Sequence, residues 1–135
     1  MPRLRTIFVI DDDRDFLELE RSMLASQGYR VTCFTDSQAA LAALQSGTPG
    51  AGPDLIVTDL MMASLDAGFT FSRALKSDPT LSRIPVIVVS AVSSQKGFDF
   101  RPRSAEDLAA MGADAWFDKP VAAGPFLAKV KELLG

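Results

Sequence analysis

The sequence predicts an α/β domain built on a parallel sheet, and three observations favour this fold class. Short apolar runs alternate along the chain with segments in which apolar residues recur at helical spacing. Few polar residues interrupt the runs, as expected for strands that are covered on both faces. The chain has 135 residues, of which 47% are hydrophobic and 23% charged, which suits one globular domain. We therefore expect a single domain over residues 1–135.

Five segments have the composition of strands. The first, third and fourth are almost entirely apolar, the second alternates between polar and apolar residues, and the fifth is the weakest. In chain order these segments are residues 7–10, 29–34, 55–57, 84–89 and 113–117.

Five helical segments follow these strands in turn. The first begins after Asp13, whose carboxylate suits an N-cap, and ends at Gly28. Its apolar stripe is Phe16, Leu19 and Met23, flanked by Leu17 and Leu24. The apolar positions of the other four helices, in chain order, are Ala40, Leu41 and Leu44, then Phe71, Ala74 and Leu75, then Leu108 and Met111, and finally Leu127, Val130, Leu133 and Leu134.

The alternation of strand and helix predicts the topology. It favours right-handed crossovers and a parallel sheet with helices on both faces. Five strands in a chain of this length match the flavodoxin-like doubly wound fold, with strand order 2-1-3-4-5 and five helices. Residues 46–53, rich in Gly and Pro, are expected to be a surface loop. Residues 90–103 lack clear periodicity, and we expect Phe98 and Phe100 in this long loop to contact a partner.

The residue types present exclude several classes of function. The chain has no histidine, which excludes His-based acid–base catalysis and His-ligated metals. Cys33 is the single cysteine, so we expect a buried thiol and no disulfide framework. No apolar run approaches the ~20 residues of a membrane span, and residues 1–10 lack the features of a signal peptide. With a formal net charge of −3 and scattered basic residues, we expect a cytoplasmic protein that binds neither membrane nor nucleic acid.

Polar residues follow the ends of four predicted strands, and these ends meet at one edge of a parallel sheet. They are Asp11, Asp12 and Asp13 after the first strand, Asp59 after the third, Ser90 after the fourth and Lys119 after the fifth. Because strands 1 and 3 are neighbours in the predicted order, Asp11, Asp12 and Asp59 should converge. Three carboxylates repel one another unless a divalent cation offsets their charge, and oxygen ligands favour Mg²⁺.

Each of these residues also has a simpler interpretation. An aspartate at a helix N-cap contributes ~1 kcal/mol to stability, and we interpret Asp13 and Asp15 as capping residues. Capping does not account for Asp59 on the adjacent strand. Taken alone, Ser90 is equally well explained as a solvated hydroxyl. The simpler interpretation of Lys119 is a surface lysine, but Pro120, which fixes the backbone just past a strand end, weakens it.

Four motifs resemble the receiver domain of two-component response regulators, and together they span most of the chain. They are IFVIDDD at residues 7–13, PDLIVTDLMM at 53–62, IPVIVVSA at 84–91 and WFDKP at 116–120. Each motif alone is weak, but the four occur in the expected order and on the expected elements.

The resemblance implies a phosphoacceptor and a metal site. Asp59 would accept the phosphoryl group. Asp12, Asp59 and the backbone carbonyl of Met61 would bind Mg²⁺ directly, and Asp11 would contribute through a metal-bound water.

The resemblance also implies roles for residues on the last two strands. Ser90 would donate a hydrogen bond to the phosphoryl oxygens and Lys119 would pair with the phosphoryl group. Ser90 and Trp116 would form the switch, with tryptophan at a position that is more often tyrosine or phenylalanine. The sequence departs from the family at Ala63, where proline is frequent, and at Ala67, which is an extra residue in the loop after Asp59.

As a function, the resemblance implies a stand-alone, chemotaxis-regulator-like signalling module that is not an enzyme. A histidine kinase or phosphotransfer protein would phosphorylate Asp59, and a downstream target protein would bind the altered surface or receive the phosphoryl group in a phosphorelay. We expect no effector domain, and the sequence predicts no oligomeric state.

Two other functions fit parts of the sequence. A small Mg²⁺-dependent phosphohydrolase of the haloacid-dehalogenase type would use Asp11 as nucleophile and Asp13 as acid–base residue. The small size of the chain and the lack of an acidic pair after the fourth strand argue against it. A flavodoxin is disfavoured because aspartates stand where a hydroxyl-rich phosphate cradle would be needed.

Overall fold

In the computed structural model, residues 5–46, 53–59, 77, 82–90, 113–118 and 121–134 are described. Five strands and three helices lie within these segments. They are β1 (Thr6–Ile10), α1 (Arg14–Ala25), β2 (Arg30–Phe34), α2 (Ser37–Ser46), β3 (Leu55–Asp59), β4 (Val86–Ser90), β5 (Ala115–Asp118) and α3 (Ala123–Leu134). Within the same segments, no helix combines the length and apolar character needed to cross a membrane.

The strands form one parallel sheet in the order β2-β1-β3-β4-β5, which confirms the predicted fold class and strand order. The three central strands are buried, as their apolar composition requires. Two of the five predicted helices, those assigned from Phe71 and from Leu108, fall outside the described residues. The same holds for most of the loop 90–103, including Phe98 and Phe100.

Alternate residues of each strand enter two separate cores, one on each face of the sheet. The α2-side core contains Ile10, Ala40, Leu44, Ile56, Val86, Val88 and Ala113. The α1/α3-side core contains Ile7, Val9, Leu17, Leu24, Leu55, Val57, Ile87, Val89, Ala115, Val121, Phe126 and Val130. Because both faces are covered, the sheet places its polar groups at the strand ends.

Helix α1 begins after Asp13, as predicted, and its predicted apolar residues are buried in part. The buried residues are Leu17, Glu20 and Leu24, whereas Leu19 at the centre of the predicted stripe is 41% exposed. Met23 packs against the same core as Leu17 and Leu24. The buried face therefore lies toward the flanking leucines, and it includes the acidic Glu20, which an apolar pattern does not predict.

Two further packing expectations need correction. Cys33 is half-buried, and the prediction of a buried thiol is wrong because β2 is an edge strand with one neighbour. In α3 the fully buried residues are Val130, which the predicted stripe contains, and Phe126, which it omitted. The ring of Phe126 packs edge-on against Phe117 of β5, with centroids 5.7 Å apart and planes at 86°.

Two aspartates join neighbouring strands at the amino-terminal edge of the sheet, opposite the edge at which Asp11 and Asp59 lie. Asp54 precedes β3 and binds the backbone of Thr6 at the start of β1. Asp114 precedes β5 and binds the backbone of Val86 at the start of β4. Both pairs hold the amino-terminal ends of the strands in register.

Candidate functional site

The sheet register brings the ends of β1 and β3 to the same level. Ile10 of β1 pairs with Thr58 of β3, so the next residues along the two strands are Asp11 and Asp59. Adjacent strands lie about 4.8 Å apart. The structure therefore places the backbones of Asp11 and Asp59 side by side, as the predicted strand order requires.

Asp11 is a buried carboxylate in a fixed position. Its residue exposure is 1%, and its backbone N–H donates to the carbonyl of Phe34 at 3.0 Å. Its Oδ1 accepts a hydrogen bond from the backbone N–H of Asp13 at 2.9 Å. These bonds fix both the side chain and the turn from β1 into α1.

Asp12 and Asp13 have different environments. Asp12 is exposed and follows Asp11 directly at the sheet edge. The side chain of Asp13 accepts from the backbone N–H groups of Asp15 and Phe16, at 2.9 and 3.3 Å, as the N-cap of α1. The capping interpretation of Asp13 is confirmed.

The remaining predicted site residues are described only in part. The backbone of Asp59 pairs with Val89, and that of Ser90 pairs with Asp118, so both lie at the carboxyl edge of the sheet. Their side chains fall outside the described part of the chain, as do Met61 and Lys119. Among the described side chains alone, no three His, Cys, Asp or Glu groups surround a common point.

The residues at this edge fit a magnesium ion. Asp11 and Asp12 supply carboxylates on one strand end, and the backbone of Asp59 lies at the level of Asp11 on the next strand. Carboxylate oxygens with room for water are the donor set that Mg²⁺ prefers. The fixed, buried position of Asp11 is of the kind that organises such a site.

Trp116 lies on the edge strand β5, beyond Ser90. It is half-buried, and its ring packs against the α2-side core. Its indole Nε1–H donates to Oδ1 of Asp118 at 3.2 Å. Asp118 is not among the predicted site residues, although residues two apart on a strand share one face, which is a signal for this contact.

The sequence of the chain matches a protein-family model and several curated proteins. The model for the response regulator receiver domain matches residues 7–131. Response regulator PleD of Caulobacter vibrioides is 33% identical over 127 residues, which cover 94% of this chain and 25% of that protein. Response regulator MprA of Mycolicibacterium vanbaalenii is 35% identical over 130 residues, which cover 95% of this chain and 49% of that protein. The chain thus spans half or less of these relatives.

Solved structures resemble the chain over nearly its full length. A CheY-like receiver domain protein from Methanospirillum hungatei has a TM-score of 0.74 and 25% identity, and the match covers 98% of this chain and 94% of that one. The signal receiver domain of a histidine kinase from Syntrophus aciditrophicus has a TM-score of 0.76 and 27% identity, with 96% and 89% covered.

These likenesses decide between the functions considered from the sequence. The two relatives above are named as response regulators, and no comparison supports the phosphohydrolase alternative. The strand order, the aspartates that the sequence places at the ends of β1 and β3, and the family match over residues 7–131 agree. The chain belongs to the receiver-domain family of two-component response regulators.

Proposed function

We propose that this chain is a phosphoacceptor in which Asp59 receives a phosphoryl group from a partner histidine kinase or phosphotransfer protein. The altered surface would then bind a downstream target protein. One observation carries the proposal: the buried, hydrogen-bonded Asp11 lies level with the Asp59 backbone at the carboxyl edge of a family-typical sheet.

The chemistry is a phosphoryl transfer between two side chains. A carboxylate oxygen of Asp59 forms a bond to phosphorus while the bond from phosphorus to the donor imidazole nitrogen breaks, and the imidazole then takes up a proton from solvent. A carboxylate is a weak nucleophile toward a group that carries several negative charges, so the transfer depends on positioning and charge compensation. Asp11 and Asp12 would hold Mg²⁺ together with Asp59 and the carbonyl of Met61. The metal would offset the charge on the phosphoryl oxygens.

Two residues at the ends of β4 and β5 would complete the site. Ser90 would donate its hydroxyl to a phosphoryl oxygen, and Lys119 would place an ammonium group against the same anion. The backbone pairing of Ser90 with Asp118 supports this arrangement, because Lys119 directly follows Asp118 in the chain.

A magnesium requirement and a signalling role both have support among known proteins. The receiver domain of the sensor histidine kinase PA1611 from Pseudomonas aeruginosa has a magnesium ion in its active-site cleft; it is 21% identical to this chain with a TM-score of 0.78.

One relative is a DNA-binding transcriptional regulator from Synechocystis, of which this chain covers 49%. We propose that the domain described here acts in the cytoplasm and is itself a protein-binding module rather than an enzyme or a nucleic-acid reader. Its organisation as a stand-alone domain stays a prediction.

Phosphorylation by a small donor tests the proposal. Incubation with acetyl phosphate and Mg²⁺ should add one acid-labile phosphoryl group, seen by intact-mass spectrometry. Asp59→Asn should abolish the adduct, and Asp36→Asn, which replaces an exposed aspartate at the start of α2, should leave it unchanged. The same adduct on the Asp59→Asn variant would contradict the assignment.

A further inference from the structure

The indole of Trp116 is held at two points. Its ring packs against the α2-side core, and its N–H donates to the carboxylate of Asp118 at 3.2 Å. The acceptor is charged, which strengthens such a bond relative to a neutral one. The orientation of the ring therefore depends on a side chain outside the predicted phosphoryl site.

The two residues share one face of β5. Phe117 between them turns to the other face, where it packs on Phe126 of α3. The contact between Phe117 and Phe126 holds β5 on the α3 side of the sheet. We therefore expect a movement of the indole to come from rotation of its own side chain, and a rotation that carries Nε1 away from Asp118 breaks the hydrogen bond.

The Trp116 and Asp118 pair lies at the level of the proposed phosphoacceptor. Asp59 pairs with Val89, and Val89 pairs with Phe117, so Asp59 and Phe117 lie at the same level across the sheet. Trp116 and Asp118 are the neighbours of Phe117 on either side along β5. The backbones of Asp59 and Phe117 are two strand spacings apart, which is about 10 Å. Asp118 itself pairs with Ser90, the proposed ligand of the phosphoryl group.

We propose that Asp118 is a positioning residue that holds Trp116 in this arrangement in the unphosphorylated protein and sets how readily the ring moves when Asp59 is phosphorylated. The role of Asp118 in holding Trp116 rests on the hydrogen bond alone. Its role in the response to phosphorylation also rests on the proposed function. A phosphoryl group moves the ring only if its binding free energy favours the moved position of the indole over the position bonded to Asp118. Loss of the hydrogen bond reduces the free energy that favours the bonded position, so less is needed from the phosphoryl group.

The single tryptophan makes the test direct, because all tryptophan emission comes from Trp116. Asp118→Ala removes the acceptor, and Asp118→Asn keeps an acceptor oxygen but removes its charge. Glu132→Gln is the control, since it neutralises an exposed carboxylate on α3 whose partner is Lys129. Each variant is measured by acrylamide quenching and then titrated with beryllofluoride, a phosphoryl mimic, in the presence of Mg²⁺.

We expect Asp118→Ala to quench more readily than the parent and to reach half of its emission change at a beryllofluoride concentration about three- to tenfold lower. Asp118→Asn should lie between Asp118→Ala and the parent, and Glu132→Gln should match the parent. Equal quenching of parent and Asp118→Ala would overturn the holding role. Equal titration midpoints would overturn the role in the switch.

Failure of the proposed function gives a different result. If acetyl phosphate adds no phosphoryl group to the parent, the phosphoacceptor assignment is wrong, yet the quenching comparison without any phosphoryl mimic still decides whether Asp118 holds Trp116. If Asp118→Ala does not fold, as judged by circular dichroism, Asp118→Asn decides: quenching equal to that of the parent would overturn the proposal.

Discussion

Asp54 binds Thr6 through two hydrogen bonds: its Oδ2 accepts from the Thr6 N–H at 2.9 Å, and its own N–H donates to the Thr6 carbonyl at 2.7 Å. Asp114 repeats the arrangement with Val86, at 2.8 and 2.7 Å. Each aspartate directly precedes a strand and joins it to the strand beside it. We call these two arrangements strand-entry clasps.

Loss of a clasp should destabilise the sheet. Asp54→Ala leaves the Thr6 N–H without its carboxylate partner at a half-buried position, so we expect the free energy of unfolding to fall by about 1–2 kcal/mol. Asp114→Ala should have at least as large an effect, because Val86 is fully buried. Urea unfolding followed by circular dichroism measures both.

The control for this prediction is Glu132→Ala, which removes an exposed carboxylate from α3 and should change stability little. The two clasps lie at different strand pairs, so the double variant should show nearly additive losses. Unfolding midpoints for the two clasp variants that match the control would show that water replaces the carboxylates without cost.

Much of the fold could be predicted because periodicity and strand order are strongly constrained in a parallel sheet. The apolar runs located all five strands, and Asp13 located the start of α1. The face of α1 was predicted only in part: Leu17 and Leu24 were expected beside the stripe, but Glu20 is buried between them, where the pattern demands an apolar residue. The edge position of β2, and hence the half-burial of Cys33, follows from the predicted strand order.

Cys33 should react slowly with alkylating reagents in the folded protein. Burial raises the pKa of its thiol, with a smaller opposing effect from Arg21, so less of it is thiolate at neutral pH than in the unfolded chain. Because the folded pKa is raised, this group's contribution to stability is complete below the unfolded pKa and is lost as the pH rises through the folded pKa.

The rate of iodoacetamide modification measures this difference, and mass spectrometry reads it without ambiguity because the chain has one cysteine. We expect a lower rate in buffer than in urea, and a native rate that increases with pH up to a higher midpoint than in the unfolded chain. Equal rates in the two conditions would show that the half-buried thiol is fully accessible.

The candidate site was predicted from topology, and its details were not. Strand order placed Asp11 beside Asp59, which the register of β1 and β3 bears out for the backbone. The hydrogen bond from Trp116 to Asp118 depends on side-chain rotation, which no periodicity encodes. One detail was predicted, the capping role of Asp13, and its bonds to the backbone of Asp15 and Phe16 confirm it.

Asp11→Asn should lower the affinity of the site for Mg²⁺, so that phosphorylation needs more Mg²⁺, without disturbing the fold. The asparagine Oδ1 can still accept the hydrogen bond from the Asp13 N–H, so the turn from β1 into α1 keeps its shape. The substitution removes the negative charge that we propose acts on the metal through a bound water. Changes to such outer ligands cost about 10–100-fold in metal affinity. The Mg²⁺ concentration that gives half the maximal rate of phosphorylation by acetyl phosphate should therefore rise by about that factor.

Asp13→Asn is the matched control, since it removes an equal charge two residues away and asparagine caps a helix as well as aspartate does. Its Mg²⁺ dependence should stay close to that of the parent. A parent-like Mg²⁺ dependence for Asp11→Asn would show that the buried carboxylate serves only the turn. An equal rise for both variants would show that general negative charge at this edge, rather than the position of Asp11, attracts the ion. Either result would contradict the assignment of Asp11 to the metal site while leaving the phosphoacceptor role of Asp59 to its own test.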